Sequence, residues 1–341
     1  MEVEVKTLTD RPKTFGDYIG NDRAKKVLQE AIQAHKLQGT CLPHILIYAS
    51  PGMGKTSMAN IIAAEAGYKL ITTIGSAIKF QSDILKILME INDNSATGWQ
   101  TILFIDEIHN IDKQSLPETL WYPLLEDFVF YSNLEGKPFD YDGVPYKATG
   151  NKHGLSQPFC CIGSTTNPEM LTAAMRRRFG IHLFLEDYEI NDLEKIVRNY
   201  GLRKHDVFFT SMACRAIASR ARFSPATSIS IADAAVRRYI CENNKSLQYL
   251  SGRVSLKTLR PLLTDLGIME GGFKREDIAV LNALEMHPKG LGKANLAKVC
   301  GFTTGFYEEM IEGFLKKTGL VVTSHKTFIT EAGTIKLQEL S

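Results

Sequence analysis

Two stretches of this 341-residue chain bring together residue types suited to phosphate chemistry. The first is Ala49-Ser-Pro-Gly-Met-Gly-Lys-Thr-Ser, set between the apolar run His44-Ile-Leu-Ile-Tyr and a helical stretch beginning Met58-Ala-Asn-Ile-Ile. Strand, glycine-rich loop and helix in that order are the context a phosphate-binding loop requires. Gly52 and Gly54 let backbone N–H groups turn inward around phosphate oxygens, Lys55 has the reach for the β- and γ-phosphates of a nucleotide, and the Thr56 hydroxyl is a Mg²⁺ ligand in such loops. The usual pattern opens on a glycine; here that position is Ala49, the smallest replacement but an awkward one if it needs a positive φ. The second stretch, Thr101-Ile-Leu-Phe-Ile-Asp-Glu-Ile-His, is an apolar strand ending in two acids. A carboxylate there can hold Mg²⁺ through water, and the next can orient a water for in-line attack on a γ-phosphate, which gives Asp106 the metal and Glu107 the water. Alone, two acids after a strand are usually a solvated strand end. Downstream of a phosphate loop they complete a nucleotide-hydrolysing site. His109 either senses that site or fills space beside it.

Positioning these groups calls for a parallel sheet covered by helices. Four short apolar runs between Gln29 and Ile181 supply strands: those at His44 and Thr101, together with Lys69-Leu-Ile-Thr-Thr and Phe159-Cys-Cys-Ile-Gly. Between Phe128 and Pro158 the alternation breaks, and Gly136, Pro138, Gly143, Pro145 and Gly150 punctuate an aromatic-rich stretch that reads as a hairpin excursion and a candidate docking element. Helical periodicity dominates from Asp187 to Asp265, with Asn191 or Asp192 as a cap. A Gly-containing linker at Leu266 leads to three helical segments and two short strands, the order of a winged helix-turn-helix. The chain's 341 residues suggest two or three domains, with 44% apolar residues to bury in them. No apolar run approaches the ~20 residues of a membrane span, and Met1-Glu-Val-Glu-Val-Lys lacks a secretion-signal pattern. These features predict a cytoplasmic protein without a membrane partner. The six cysteines are scattered without metal-ligand spacing and are expected to be reduced and buried. A net charge of +2 is silent on partners.

With its motifs in this order the chain resembles the RuvB Holliday-junction branch-migration motors of bacteria and their phages. The resemblance runs from about Arg11 to Leu340 and rests on Arg11-Pro-Lys-Thr-Phe-Gly-Asp-Tyr-Ile-Gly, the phosphate loop, Phe104-Ile-Asp-Glu-Ile-His, Tyr122-Pro-Leu-Leu-Glu-Asp-Phe, Ile162-Gly-Ser-Thr-Thr and Arg176-Arg-Arg-Phe-Gly. It implies an α/β AAA+ P-loop domain over residues 1–183 with the hairpin insertion at about 128–158, a helical lid over 184–266 and a winged-helix DNA-binding domain over 267–341. ATP and Mg²⁺ are the implied ligands. Arg11, Tyr18, Ile19 and Tyr188 match positions around the nucleotide base, Met53 and Ser57 belong to the phosphate loop, and Glu126, Asp127 and Phe128 match a further nucleotide-contacting stretch. Thr166 matches the sensor of the γ-phosphate and attacking water. Arg178 matches an arginine finger that enters the neighbouring subunit's site, with Arg176 beside it. Such a finger requires a head-to-tail ring, in this family a hexamer around duplex DNA. The hairpin corresponds to the element that docks a RuvA-like junction-binding partner; Phe128, Phe130, Tyr131, Phe139, Tyr141 and Tyr146 are either its anchors or a small satellite core.

Two departures mark a divergent member. The lid motif Arg-Gly-Thr-Pro-Arg reads Arg222-Phe-Ser-Pro-Ala here, so Ala226 stands where a second sensor arginine is expected, leaving Arg222 or Arg220 as substitutes. The wing reads Thr323-Ser-His-Lys-Thr-Phe, which makes His325 and Lys326 its cationic DNA contacts, with Lys289, Lys293, Lys298, Lys316 and Lys317 as further candidates and Glu308, Glu309 and Glu312 opposing them. The expected function is ATP-driven branch migration of four-way junctions. A clamp-loader-like switch, disfavoured by the winged C-terminus, and a weakly hydrolysing ATP-dependent DNA-binding adaptor are the alternatives.

Overall fold

The computed structural model describes residues 11–141, 144–148, 150–205, 207–243 and 252–340. The segment Met1-Glu-Val-Glu-Val-Lys and the hairpin residue Gly143 lie outside them. The chain divides into two compact units, Met1–Tyr188 and Glu189–Ser341.

In the first unit the elements run α1 (Asp22–Gln38), β1 (Ile45–Tyr48), α2 (Lys55–Ala66), β2 (Lys69–Ile74), α3 (Gln81–Ala96), β3 (Thr101–Asp106) and α4 (Trp121–Glu126). The excursion β4 (Val129–Tyr131), β5 (Pro138–Tyr141), β6 (Val144–Lys147) and β7 (Lys152–Gly154) follows, then β8 (Cys160–Thr165), α5 (Ala173–Arg176) and β9 (Ile181–Phe184). Five strands form one sheet in the order β2-β3-β8-β1-β9, with every pairing parallel. Strands β1, β3 and β8 are buried along nearly their whole length because both faces of the sheet are covered. Alternation divides them between two cores. Leu46, Leu103, Ile105 and Cys161 point to the side of α3 and α4. Ile45, Ile47, Ile102, Phe104 and Ile162 point to the side of α1 and α2. Among the described residues, no helix is long and apolar enough to cross a membrane.

The excursion is two nested antiparallel pairs, β4 with β7 and β5 with β6. Its aromatics split between the two expected uses. Phe130 is fully buried, and Phe128 and Phe139 pack on the same core. Tyr131, Val144 and Tyr146 are exposed.

The second unit holds two further cores. The first is built by α6 (Ile190–His205), β10 (Val207–Phe209), α7 (Ser211–Ala218), α8 (Pro225–Asn243), β11 (Gly252–Val254) and α9 (Leu256–Asp265), and forms the helical lid. The second contains α10 (Arg275–Glu285), α11 (Lys293–Val299), and α12 (Thr304–Tyr307), which continues through a π-turn into α13 (Gly313–Lys317). The wing, β12 (Val321–Thr323) and β13 (Thr327–Ile329), and α14 (Glu331–Leu340) complete it.

Arg222 joins these two cores. Its Nε donates to the Gly272 carbonyl at 2.8 Å, its Nη1 to the Met310 carbonyl at 3.0 Å, and its Nη2 pairs with the fully buried Asp277 carboxylate. The guanidinium also stacks on Phe314 at 4.3 Å. Every arm of Arg222 is therefore committed within this unit, which corrects its reading as a substitute nucleotide sensor. The cysteine expectation also needs correction. Cys160, Cys161 and Cys214 are buried, and burial pushes the Cys161 thiol up to about 12. Cys241 is exposed on α8, and Cys41 and Cys300 are half-buried.

Candidate functional site

The phosphate loop joins the C-terminal end of β1 to α2. Gly52 and Gly54 are left-handed, at φ 77° and 93°, and a Cβ on Gly54 would meet the Tyr18 hydroxyl at 2.8 Å. The loop is thus a cradle that a side chain would fill. Ala49 is not among the left-handed residues, so its methyl group costs the backbone nothing. Its carbonyl accepts from the Lys55 Nζ at 3.3 Å. Lys55, at the first position of α2, is only 7% exposed and donates to Glu107 Oε1 at 2.7 Å. Thr56 and Ser57 follow on the helix, both half-buried.

Because the sheet is parallel, Asp106 at the end of β3 and Thr165 at the end of β8 come to the same edge as the loop; Tyr48 pairs with Thr165. The second carboxylate oxygen of Glu107 accepts from both the N–H and the hydroxyl of Thr166, each at 3.0 Å. Burial alone would raise the Glu107 carboxyl, but the Lys55 ammonium and the Thr166 donors outweigh it and hold the group below the usual carboxylate range. Asp106 accepts a hydrogen bond from the Ser164 hydroxyl. His109 is buried with its Nδ1 2.8 Å from the Thr165 hydroxyl and 3.4 Å from Glu107. Burial lowers its pKa, so the ring is neutral near pH 7. It belongs to the site's hydrogen-bond network and does more than fill space. Sequence reading missed Ser164 as an Asp106 partner, although it lies inside the quoted Gly-Ser-Thr-Thr stretch.

Tyr18 closes the loop from the other side. Its hydroxyl donates to the Met53 carbonyl at 3.2 Å and pairs with Tyr188; burial first, then Tyr188, raises its pKa. Ile19 is half-buried beside it and Arg11 is exposed. Arg176 donates from Nη1 to the carbonyls of Pro168 and Leu171, at 2.8 and 2.5 Å.

The remaining expected contacts lie elsewhere. His44, just before β1, accepts at Nδ1 from the Cys161 N–H at 2.9 Å and donates from Nε2 to the Leu125 carbonyl at 2.8 Å. This fixes the end of α4, with Glu126, at the N-terminal edge of the strands. Phe128 and Phe179 both pack on the His44 ring. Arg178 pairs with Glu126 at 3.2 Å, donates to the Ala174 carbonyl at 2.6 Å and stacks 3.6 Å over Tyr122. Four strand residues at ~3.3 Å each put roughly 13 Å between the two edges of the sheet. Glu126, Asp127, Phe128 and Arg178 are therefore not brought together with Lys55 and Glu107 of the same chain.

At the wing, Ser324, His325 and Lys326 are exposed, and Lys326 Nζ reaches the Lys289 carbonyl at 3.4 Å. Two of the lysines expected to assist are engaged: Glu312 pairs with Lys293 at 3.0 Å and with Lys316 at 2.5 Å. Both lysine side chains keep 40% of their surface exposed, so the buried Glu312 offsets their charge without taking them out of solvent. Lys289 and Lys298 are exposed.

The donor set at the C-terminal edge fits a magnesium nucleotide. Mg²⁺ in phosphate sites takes one or two protein oxygens and completes its shell with phosphate and water, and Asp106 and Thr56 supply that number. Among the described residues no cluster of three or more acidic, histidine or cysteine side chains offers an all-protein metal cage.

A phosphate loop at the switch of a five-stranded parallel sheet, paired acids on the next strand but one, and a helical lid with a winged helix behind it define a P-loop nucleotide-binding protein of the AAA+ class. The comparisons narrow this. The family described as Holliday junction DNA helicase RuvB P-loop domain matches residues 10–185. A Parasynechococcus marenigrum protein named Holliday junction branch migration complex subunit RuvB is 33% identical over 339 residues, covering 96% of this chain and 88% of that one. Its counterpart from Lactobacillus helveticus is 32% identical, over 94% of this chain and 86% of the relative. The solved structure of the Thermotoga maritima RuvB Holliday junction branch migration motor superposes with a TM-score of 0.76 at 27% identity, covering 96% and 98% of the two chains. The chain belongs to the RuvB family.

Proposed function

We propose that this protein is an ATP-hydrolysing motor that drives duplex DNA through four-way junctions as a closed ring of identical subunits, six by the family's pattern, with a RuvA-like partner at the hairpin. The observation that carries the reading is the separation of the two half-sites. Lys55, Asp106, Glu107 and Thr166 lie at one edge of the sheet and Arg178 with Glu126 at the other, an arrangement that suits a catalytic site completed by the next copy.

In that site Lys55 binds the β- and γ-phosphates, which draws its ammonium away from Glu107. The freed carboxylate orients a water and takes its proton as the water oxygen bonds to the γ-phosphorus and the bond to the β-phosphate bridging oxygen breaks. Thr166 holds the water and the γ-phosphate in line. Thr56 and Asp106 would hold Mg²⁺, which when bound would supply charge neutralisation at the phosphates. Tyr18, Ile19, Tyr188 and Arg11 surround the base, and Ser164 keeps the Asp106 carboxylate oriented. Arg178 of the neighbour, with Arg176, Glu126 and Asp127, closes the other side of the nucleotide.

Steady-state ATP hydrolysis by the purified chain is expected to rise on adding a synthetic four-way junction and a RuvA-type protein, with separation of the junction arms. Tight ATP binding with negligible turnover under those conditions would replace the motor with the adaptor reading, which Ala226 at the start of α8 favours by leaving the lid without its arginine.

The wing gives a separate test. Lys326→Ala is expected to weaken duplex binding about equally for all sequences and to reduce the slope of log K against log salt by about 0.9, the value for one lost phosphate contact. An unchanged slope would move the DNA contact off the wing.

A further inference from the structure

Glu107 is held in an unusual backbone conformation. Its φ of 47° and ψ of 54° are left-handed, sparsely populated for a residue with a Cβ. The turn is what lets the chain leave β3 with the carboxylate directed at Lys55 and Thr166 while the Glu107 carbonyl points the other way, accepting from the Asn110 N–H at 2.9 Å. Something must make room for that carbonyl. The β2–β3 ladder ends at Ile74 opposite Asp106, so the next residue along β2, Gly75, is alongside Glu107. Gly75 is buried, and a Cβ placed on it would lie 2.3 Å from the Glu107 carbonyl oxygen and 3.2 Å from the Ile111 nitrogen. Real Cβ atoms do not approach a backbone oxygen that closely. Gly75 is not among the left-handed glycines, so no backbone conformation of its own requires the residue type. What requires it is the space that Glu107 occupies.

We propose that Gly75 is the positioning residue for the water-activating carboxylate: its missing side chain allows the left-handed turn at Glu107 and so sets where the carboxylate stands. This rests on Glu107 being the residue that activates water. Any side chain at 75 pushes on the peptide that carries the carboxylate, and an ångström of misplacement at a reacting group costs about 10²-fold in rate. The phosphate loop lies on another strand, so nucleotide binding is spared.

The test is Gly75→Ala in the full chain, with Gly292→Ala, a site with open space, as control. The expected result is a kcat lower by roughly ten- to a hundredfold, with KM for ATP and affinity for a non-hydrolysable ATP analogue within about threefold of wild type. Turnover within about twofold of wild type, or affinity that falls in step with kcat, overturns the proposal. Glu107→Gln measured alongside separates the two levels. Loss of turnover there with full turnover in Gly75→Ala sinks the Gly75 inference alone; full turnover in both sinks the reading on which it rests. If Gly75→Ala does not fold, Ile78→Ala decides, because the buried Ile78 side chain anchors in the core the turn that begins at Gly75. Turnover lower by about threefold with affinity kept is expected there, and wild-type turnover overturns the proposal.

Discussion

Subunits carrying Lys55→Ala, mixed with subunits carrying Arg178→Ala, are expected to regain hydrolysis that neither variant shows alone. Each single variant should lose on the order of 10³-fold in kcat, one through its phosphate contact and the other through its charge on the transferred group. If the site is shared, a seam is active whenever the loop side comes from one variant and the finger side from the other. Random assembly from equal amounts makes about one seam in four intact on both sides, so recovery should reach about a quarter of wild-type turnover. The geometry argues for this because Arg178 is anchored at the opposite edge of the sheet from Lys55, with Tyr122 under its guanidinium and Glu126 at its rim. A side chain fixed there serves another molecule or none. Native mass spectrometry establishes that mixed rings have formed; absence of recovery in demonstrably mixed rings would end the shared-site reading.

The catalytic half of the site was legible in the sequence because its chemistry is written in contiguous residues. A loop that must wrap phosphates needs its glycines adjacent to its lysine, and a strand that delivers two acids needs them at its end. The elements follow for the same reason: β1 and the middle of β3 are apolar on both faces, as buried central strands must be, and β8 opens on the apolar run Cys160-Cys161-Ile162. What escaped the sequence depends on contacts between distant residues. Nothing local in Gly75 shows that Glu107 needs its space, and nothing in Ser164 shows that its hydroxyl meets Asp106. His44 reads as one more residue of an apolar run, yet its two ring nitrogens tie α4 to the sheet.

Charge was the weakest guide. Arg222 was offered as a nucleotide sensor because it is an arginine in the right neighbourhood, but a buried carboxylate far along the chain had first claim on it. Lys293 and Lys316 look available to DNA until Glu312 is placed between them. In each case the buried group is the carboxylate, Asp277 or Glu312, and a carboxylate removed from water must find a cationic partner. The Ala49 departure resolves the other way, because the loop never asks that residue for a left-handed backbone.

Glu107→Gln should separate binding from chemistry. The amide preserves the shape of the side chain and its carbonyl can still meet Lys55, but it cannot take a proton from water. A kcat lower by roughly 10²- to 10⁴-fold is expected, the range for loss of a general base, with ATP still bound and rings still forming on nucleotide. Stability should carry a second signature. The carboxyl of Glu107 lies below its ordinary range in the folded chain, so the unfolded chain binds a proton more readily. Its contribution is therefore present above the unfolded carboxylate pKa and lost as pH falls through the lowered folded value. Without nucleotide, the Gln variant should melt below wild type at pH 7, and the gap should narrow on acidification through the carboxylate range. A gap independent of pH would mean that Lys55 and Thr166 do not hold an ionised Glu107, and the release of that carboxylate by phosphate binding would lose its basis.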